Sequence, residues 1–529
     1  MSAVAGDWSR SAVMYQVYPR SFADADSDGV GDLPGLVARL PYIASLGVDG
    51  IWLTPFQRSP QVDQGYDVSD YCDVDPLFGT MADLDRLVAE AHARSLRVVV
   101  DLVPNHCSVE HPLFQQALAA APGSPARELF HFAEGRGDGP PNNWQSVFGG
   151  PAWHRAAPGS ATDRQWYLHM YTAQQPDWNW RNPAVADFFD GVIRFWLDLG
   201  VDGLRIDVAH GLYKSEGLPD VAEGVVVMDG LRSNVHAMDQ EEVHGIYRRW
   251  RAIADRYEPQ RILVGEVNLE PERVWRYVRP DELHQAFAFA LLRAPWSASE
   301  WARIGERLEE AHRRSGAPVT WALENHDVAR TVTRYGGGAR GARRARAALV
   351  AMLGLPGSAY LYQGQELGLP EVDVPVDQRV DPAWQRSGLL RDGARIPLPW
   401  TAEPARTHGF STGDAVPWLP VPPGWGELAV DRQERDPDST LALVRRALGR
   451  RAELHAMGLL SGDDHARWAV GPGGSVRCDR GRLSVVVAMG DEPAPLPAGE
   501  VMLASGPQPR PGWLEPDTAA WLSTEEVPA

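Results

Sequence analysis

The sequence predicts an α/β protein: a (β/α)8 TIM barrel with an inserted irregular domain after strand three and a C-terminal antiparallel β-domain. Three observations predict this architecture. Eight short apolar runs alternate with amphipathic helical patterns, as in consecutive βα units. A long stretch rich in Pro, Gly and Trp interrupts the alternation after the third run. Beyond the last helical pattern, short strand-like segments are separated by Gly, Pro and Asp turns.

The candidate strands are short and apolar, and they occupy residues 13–18, 50–53, 97–103, 203–206, 262–265, 286–290, 319–323 and 359–362. Amphipathic stretches that predict helices lie between them, at 36–46, 81–95, 184–199 and 240–257. A last helix is expected at 436–456, where Leu441, Val444 and Leu448 share one face. Strands of the C-terminal domain are expected at 467–470, 474–478, 483–488 and 501–504.

Insertions divide the barrel into two parts. Strand three ends near Asn105 and strand four begins near Val201, a gap far longer than a βα connection requires. We therefore assign 1–105 and 179–456 to the barrel and 106–178 to the inserted domain B. A second insertion of acidic and polar residues is expected at about 212–243, and the C-terminal β-domain at 457–529.

Composition narrows the class of protein. The chain has 529 residues, of which 44% are hydrophobic and 23% charged, as in globular proteins of two or three domains. The net charge of -19 argues against nucleic acid as a partner. Three cysteines show neither a disulfide framework nor metal-ligand spacing. Without a secretory signal or an apolar run near the ~18 residues of a membrane span, we expect a cytoplasmic protein with no membrane partner. The sequence leaves monomer and homo-oligomer equally open.

Three predicted strands each lead into a carboxylate: Asp207, Glu266 and Asp327. In a parallel barrel the carboxyl ends of all strands reach one rim, so these groups are expected to converge there. A retaining glycosidase uses a pair of carboxyl groups beside the sugar, one as the nucleophile and the other as the acid/base. Arg205, on the same side of its strand, is expected to keep Asp207 ionised. Apolar surroundings and the nearby Asp207 are expected to keep Glu266 protonated.

Several motifs occur in a fixed order along the chain: VYPRSF at 17–22, DLVPNH at 101–106, NNWQSVFGG at 142–150, QPDWNW at 175–180, GLRIDV at 203–208, GEV at 265–267 and ENHD at 324–327. Together they resemble the α-amylase superfamily, glycoside hydrolase family 13, in its exo-acting α-glucosidase and oligo-1,6-glucosidase branch. The resemblance covers nearly the whole chain. It implies that Asp207 is the nucleophile, Glu266 the acid/base and Asp327 the carboxylate that holds sugar hydroxyls.

The resemblance also implies substrate-binding residues around the carboxylates: Tyr66, Asp67, His106, Gln175, Arg205, His326 and Arg395. Tyr66 would stack on a sugar, and Asp67 would accept from its hydroxyls. Arg395, which begins RIPLPW at 395–400, resembles the family arginine that pairs with that aspartate. Such a pair would close the pocket behind one glucosyl ring and make the enzyme exo-acting.

The segment DADSDGVGD at 24–32 places oxygen ligands as in the first nine positions of an EF-hand loop. It lacks the closing Glu and the flanking helices, so an EF-hand is not predicted. We expect one structural Ca²⁺ or Mg²⁺, because the resembling α-glucosidases carry such a loop after strand one. The predicted ligands are Asp24, Asp26, Asp28, Asp32 and the Val30 carbonyl. No organic cofactor is expected.

The expected activity is that of an exo-acting retaining α-glucosidase, which releases glucose from the non-reducing end of short α-glucosides such as maltose and maltooligosaccharides. Three alternatives stay open. Val208 after the nucleophile is the residue that the family associates with α-1,6 activity, so an oligo-1,6-glucosidase (isomaltase) is one. A trehalose synthase or transglucosidase is another, because a sugar hydroxyl competes with water for the same intermediate. The third is a non-catalytic barrel accessory protein, which would carry a membrane anchor and lack catalytic carboxylates. The aglycone and the metal are left open.

Overall fold

The computed structural model describes residues 8–160, 162–222, 227–228, 231–232, 234–403, 406–413, 415–508 and 510–523. The two ends of the chain and part of the expected insertion at 212–243 therefore lie outside the described residues. None of the helices in the described part of the chain combines the length and apolarity that crossing a lipid bilayer requires.

Eight parallel strands form the central barrel: β1 (Val13–Val17), β2 (Gly50–Leu53), β3 (Arg97–Leu102), β4 (Gly203–Ile206), β5 (Ile262–Gly265), β6 (Gln285–Ala286), β7 (Thr320–Ala322) and β8 (Ser358–Tyr362). They are hydrogen-bonded in the order β6-β5-β4-β3-β2-β1-β8-β7. A parallel bridge between Phe287 and Thr320 joins the two remaining edges and completes the barrel. The predicted fold class is confirmed.

Helices surround the barrel. The longer ones are Leu33–Leu46, Met81–His92, Pro183–Leu199, Val243–Ala254, Ala298–Ser315, Gly338–Gly354 and Thr440–Ala456. Shorter helices are Pro271–Val274, Phe289–Leu292, Thr331–Arg334, Pro382–Ser387 and Val430–Gln433. Helix Pro183–Leu199 shows how one element places the next. It begins at the N-cap Asn182, buries Phe189 and Trp196, and ends at Gly200 with φ 105°. Glycine adopts that left-handed conformation without steric cost, and β4 begins three residues later.

The sixth strand differs from the sequence-based expectation. A strand was expected over 286–290, but β6 spans only Gln285–Ala286 and residues Phe289–Leu292 form a helical turn. The run of Phe, Ala and Leu in this region is buried except at Ala290, which is half-buried, so its apolar pattern suits either conformation. The turn brings Phe289 and Leu292 to the rim of the barrel.

Domain B, between β3 and β4, is less irregular than expected. Besides helix Pro112–Ala119 it contains an antiparallel sheet of three strands, Phe132–Glu134, Gln165–Leu168 and Trp153–Arg155, with Gln165–Leu168 in the middle. The buried ammonium of Lys214 lies 2.8 Å from the Asp177 carboxylate and 2.9 Å from the Asn105 side chain. This ion pair ties the end of domain B to the segments that follow β3 and β4.

The C-terminal domain is an antiparallel sheet of five strands: Ala466–Gly471, Ser475–Arg480, Leu483–Ala488, Thr518–Ser523 and Glu500–Ala504, in that spatial order. Four of them match predicted strands: Leu483–Ala488 has the predicted bounds, and the bounds of the other three differ by at most two residues. Thr518–Ser523 was not predicted, because its two adjacent alanines carry little β propensity. It is buried along its whole length, and the Trp521 indole donates to the Val350 carbonyl of a barrel helix.

Candidate active site

A cavity of about 440 Å³ opens at the carboxyl-end rim of the barrel. The register of β4 and β5 pairs Ile206 with Gly265, so Asp207 and Glu266, the next residue on each strand, are neighbours at this rim. Asp327 follows β7 and lines the same cavity. The structure therefore brings together the three carboxylates that were predicted to converge.

One buried guanidinium connects the carboxylates. Arg205 donates to Asp207 over 2.7 Å, and its other terminal nitrogen lies 2.8 Å from Glu266. It also lies 3.3 Å from Asp101 at the end of β3. The Val208 amide donates to Glu266 over 3.0 Å, which fixes the position of that side chain.

The charge balance differs from the simple expectation that Arg205 keeps Asp207 ionised. Burial and the adjacent Glu266 raise the pKa of Asp207, although Arg205 opposes this. Burial likewise raises the pKa of Asp101 to about 7. A single guanidinium cannot balance three neighbouring carboxylates. Burial and the neighbouring carboxylates therefore favour a proton on Asp207 in the free site.

The surroundings of Asp327 favour its ionised form, in contrast to those of Asp207. Its carboxylate lies 3.1 Å from Arg391, 2.9 Å from Arg395 and 3.3 Å from the His326 ring. Burial alone would raise the pKa of Asp327, but these neighbours outweigh it and hold that pKa well below its usual range. Burial lowers the pKa of His326 to about 3, so its imidazole is neutral at physiological pH. Asp327 is consequently a stable negative charge in the cavity wall.

The expected pair between Asp67 and Arg395 does not form. The Asp67 carboxylate accepts from the Val62 and Asp63 amides over 2.9 and 3.0 Å and from the Ser59 hydroxyl over 2.8 Å. Its loop reverses at two consecutive residues with positive φ, 64 and 65, which turns Asp67 into the loop interior. Arg395 instead donates to the His326 carbonyl over 2.8 Å and to Asp327.

The ion pair that forms part of the cavity wall was not predicted from the sequence. It joins Asp63 and Arg391 at 3.0 Å. Arg391 also lies 2.7 Å from Asp381 and 3.1 Å from Asp327, and its guanidinium lies over the Phe148 ring. The sequence contains both partners of this pair. Asp63 lies four residues before Asp67, and RDGAR at 391–395 contains two arginines four residues apart, so either member of each set could have formed the ion pair.

Of the other predicted substrate-binding residues, Tyr66, His106 and His326 line the cavity. The Tyr66 and His326 rings stack at 5.4 Å, and the Tyr66 hydroxyl lies 2.7 Å from the imidazole. Gln175 does not line the cavity; its amide nitrogen lies 3.1 Å from Asp63 and 3.1 Å from His106. Arg205 and Arg395, like Gln175, lie behind the cavity surface and position residues that reach it.

The acidic loop at 24–32 forms a separate cluster. Carboxylate oxygens of Asp24, Asp26 and Asp28 lie within 4.8 Å of one another. Asp32 is not part of this group of three: it caps helix Leu33–Leu46, accepting from the Gly35 amide over 2.6 Å and from the Ala25 amide over 2.9 Å. Clustered carboxylate oxygens form the ligand set that hard divalent cations prefer.

An eight-stranded parallel barrel with these rim carboxylates defines a (β/α)8-barrel glycoside hydrolase, and the comparisons agree. The family model for the alpha amylase catalytic domain matches residues 16–458, and a domain of unknown function, DUF3459, matches 458–521. The chain belongs to the alpha-amylase family.

Relatives of the chain carry related names. A probable alpha-glucosidase of Rhizobium meliloti is 40% identical over 466 residues, which is 84% of this chain and 82% of that protein. An oligo-1,6-glucosidase of Heyndrickxia coagulans is 35% identical over 476 residues, 82% of this chain and 83% of the relative. The crystal structure of the alpha-glucosyl transfer enzyme XgtA superposes with a TM-score of 0.89 at 35% identity, covering 97% of this chain and 99% of that one.

Proposed function

We propose that the protein is an exo-acting, retaining α-glucosidase that releases glucose from the non-reducing end of short α-glucosides such as maltose and maltooligosaccharides. One observation carries the proposal: the Asp207 and Glu266 pair faces a cavity that also holds the Asp63–Arg391 ion pair in its wall. The relatives named alpha-glucosidase and oligo-1,6-glucosidase support it.

In this mechanism Asp207 attacks the anomeric carbon while Glu266 protonates the departing oxygen; Glu266 then takes a proton from the water that hydrolyses the glucosyl ester. Inverting enzymes separate their carboxyl groups by about 6.5–9.5 Å to admit a water. Here the two carboxyl groups share one guanidinium, which lies 2.7 Å from Asp207 and 2.8 Å from Glu266, and this close arrangement supports direct attack by Asp207. Arg205 contacts both carboxylates, so it can stabilise negative charge on whichever of them is ionised at each step.

The remaining polar residues would hold the glucosyl ring. Asp327 would accept from ring hydroxyls, since its ionised state is maintained by two arginines. Burial lowers the pKa of His106 to about 4, which leaves a neutral imidazole able to donate or accept. Tyr66 would stack on the ring. Asp63 and Arg391 would bind the hydroxyls farthest from the scissile bond and leave no path for a further sugar unit.

Two variations on this chemistry have specific support. Val208 lines the cavity directly after Asp207, in the position where linkage preference is expected to be set, which favours activity on α-1,6 bonds as well. The XgtA structure, named for glucosyl transfer, supports a share of transfer beside hydrolysis.

A non-catalytic accessory role is disfavoured, because the three carboxylates converge in an open cavity. We also propose that the protein is cytoplasmic.

Two measurements test the proposed activity: glucose release from a panel of substrates, and the chain length of the first products. Maltose, isomaltose, sucrose and trehalose are compared by glucose release, and maltoheptaose products are separated at early times. We expect glucose and maltohexaose as the first products of maltoheptaose, because the walled cavity admits one terminal ring. Early maltose and maltotriose would contradict the exo-acting proposal, and inactivity on the whole panel would contradict the α-glucosidase proposal.

The proposal includes one structural Ca²⁺ or Mg²⁺. Asp24, Asp26 and Asp28 would hold it, and the Val30 carbonyl and Asp32 would be its further ligands. A cation would relieve the repulsion among carboxylates within 4.8 Å of one another. Removing it with EDTA is expected to lower the melting temperature by several degrees, because the ion binds only the folded loop. Readdition of Ca²⁺ or Mg²⁺ should restore it.

The Asp26→Asn/Asp28→Asn variant should melt at the same temperature with and without EDTA. Asp85→Asn, which removes an exposed carboxylate from helix Met81–His92, is the matched control and should respond like the wild type. A wild-type melting temperature that does not change with EDTA or added cation would contradict the metal proposal.

A further inference from the structure

The 51 Lys and Arg residues of the chain include a single lysine, Lys214. Its side chain is buried, and its nitrogen has three acceptors: an Asp177 carboxylate oxygen at 2.8 Å, the Asn105 side-chain oxygen at 2.9 Å and the Gly211 carbonyl. An ammonium has three protons to donate, so this site uses all of them. A guanidinium is planar and carries five donors, so the three acceptors match a lysine and not an arginine.

The Lys214 ammonium fixes the orientation of the Asn105 amide. Because an ammonium can only donate, the Asn105 atom that faces it is the oxygen. The amide nitrogen is then the atom that lies 3.1 Å from Nδ1 of the His106 ring and 3.2 Å from the Asp177 carboxylate. An amide nitrogen can only donate, so Nδ1 of His106 accepts and carries no proton.

The single proton of the neutral His106 ring is consequently on Nε2, which lies 3.2 Å from the Tyr66 carbonyl, an acceptor. The Gln175 amide nitrogen also lies 3.1 Å from Nε2, but it has another acceptor in the Asp63 carboxylate. A proton on Nδ1 would face the Asn105 amide nitrogen, which is the partner that the described residues provide there. Two hydrogen bonds therefore favour the proton on Nε2, and one favours it on Nδ1.

We infer that Lys214 is a positioning residue that sets the tautomer of His106 through Asn105, so that this ring donates from Nε2 to a hydroxyl of the glucosyl unit. The inference rests on the proposed function and deepens it, because a neutral imidazole alone could equally donate or accept. His106 lines the cavity, whereas Lys214 lies behind the cavity surface. Nδ1 is occupied by Asn105, so Nε2 is the nitrogen left for a sugar hydroxyl.

Replacing the buried ion pair by neutral groups tests this role. The Lys214→Met/Asp177→Asn variant leaves no buried carboxylate without its cation, which is the main cost of removing a lysine alone. One Asp177 oxygen accepts from the Met170 amide and is kept, so the introduced amide nitrogen replaces the oxygen beside Asn105. Asn105 should then reverse and present its oxygen to that nitrogen and to Nδ1 of His106. We expect the ring proton to move to Nδ1.

Nitrogen-15 NMR of protein labelled at histidine reads the tautomer, because protonated and unprotonated ring nitrogens have well-separated shifts. The signal of His106 is identified by its loss in His106→Gln. We expect the proton on Nε2 in the wild type and on Nδ1 in Lys214→Met/Asp177→Asn. A wild-type ring protonated on Nδ1 would overturn the inference, and this measurement needs no stable variant. A folded double variant that keeps the proton on Nε2 would also overturn it.

Steady-state kinetics on maltose connect the tautomer to the reaction. We expect Lys214→Met/Asp177→Asn to lose roughly 10- to 100-fold in kcat/KM, because a sugar hydroxyl loses its donor in a closed site. Arg127→Met/Asp163→Asn is the matched control: it removes another largely buried ion pair of domain B, whose residues do not line the cavity. The control should keep the wild-type tautomer and a kcat/KM close to the wild-type value. Equal losses in the two double variants would show that Lys214 acts on stability alone.

The tautomer is measured without substrate, which separates this inference from the proposed function. If the wild type hydrolyses no glucoside, the proposed function fails, and the NMR comparison still decides whether Lys214 sets the His106 tautomer. An active, folded double variant with the proton on Nδ1 and wild-type kcat/KM would overturn the inference while leaving the proposed function intact.

Discussion

Asp207→Asn is expected to lose nearly all turnover while folding normally. The amide cannot form the glucosyl ester, and removal of a covalent nucleophile lowers kcat by a factor on the order of 10⁵–10⁶ in well-studied hydrolases. The fold should survive because the oxygen of the introduced amide can still accept from Arg205, and one negative charge leaves a buried group of three carboxylates. Steady-state kinetics on maltose and a thermal melt measure the two effects.

Glu266→Gln provides the contrast to Asp207→Asn. It removes the acid/base and leaves the nucleophile, so substrates with good leaving groups should still form the glucosyl ester. Added azide, which needs no proton removal, should then speed turnover in Glu266→Gln and leave Asp207→Asn inactive. Substantial maltose hydrolysis by Asp207→Asn would exclude Asp207 as the nucleophile.

Arg391→Ala is expected to cause the second largest loss. This arginine lies 3.0 Å from Asp63, 3.1 Å from Asp327 and 2.7 Å from Asp381. Its removal leaves the buried Asp63 and Asp381 carboxylates without their shared cation and leaves Asp327 with Arg395 alone. Breaking a buried ion pair in this way costs about 3–5 kcal/mol. We expect kcat/KM on maltose to fall roughly 10²- to 10³-fold, measured at a temperature where the variant is still folded.

Two further variants identify the cause of that loss. Arg391→Lys keeps the charge but loses the planar, multiple donors, so an intermediate value of kcat/KM is expected. Arg386→Ala, in the same segment but exposed, should stay within about twofold of the wild type, as is usual for surface positions. Wild-type kcat/KM in Arg391→Ala would show that the Asp63–Arg391 pair does not hold the glucosyl ring.

The barrel and its three rim carboxylates could be predicted from the sequence because both depend on local patterns. An apolar strand that ends in Asp207 or Glu266 carries its own periodicity, and barrel geometry then brings the ends together. The short β6 could not be separated from the helical turn at Phe289–Leu292, because a continuous apolar run has no period that distinguishes a strand from a helix.

Side-chain pairing at the rim was the weakest part of the prediction. Whether Asp63 or Asp67 meets an arginine depends on the turn at residues 64 and 65, whose positive φ values the sequence does not reveal. The charge state of Asp207 was judged from Arg205 alone. The structure shows that Asp101 and Glu266 share the same guanidinium, an arrangement that only long-range strand order creates.

The anomeric form of the first glucose released from maltotetraose tests the Asp207–Glu266 mechanism most directly. Proton NMR during the first minutes of reaction separates α- from β-glucose before mutarotation mixes them. Attack by Asp207 followed by water gives two inversions, so we predict α-glucose as the first product. β-Glucose as the first product would show a single displacement by water and contradict the role assigned to Asp207.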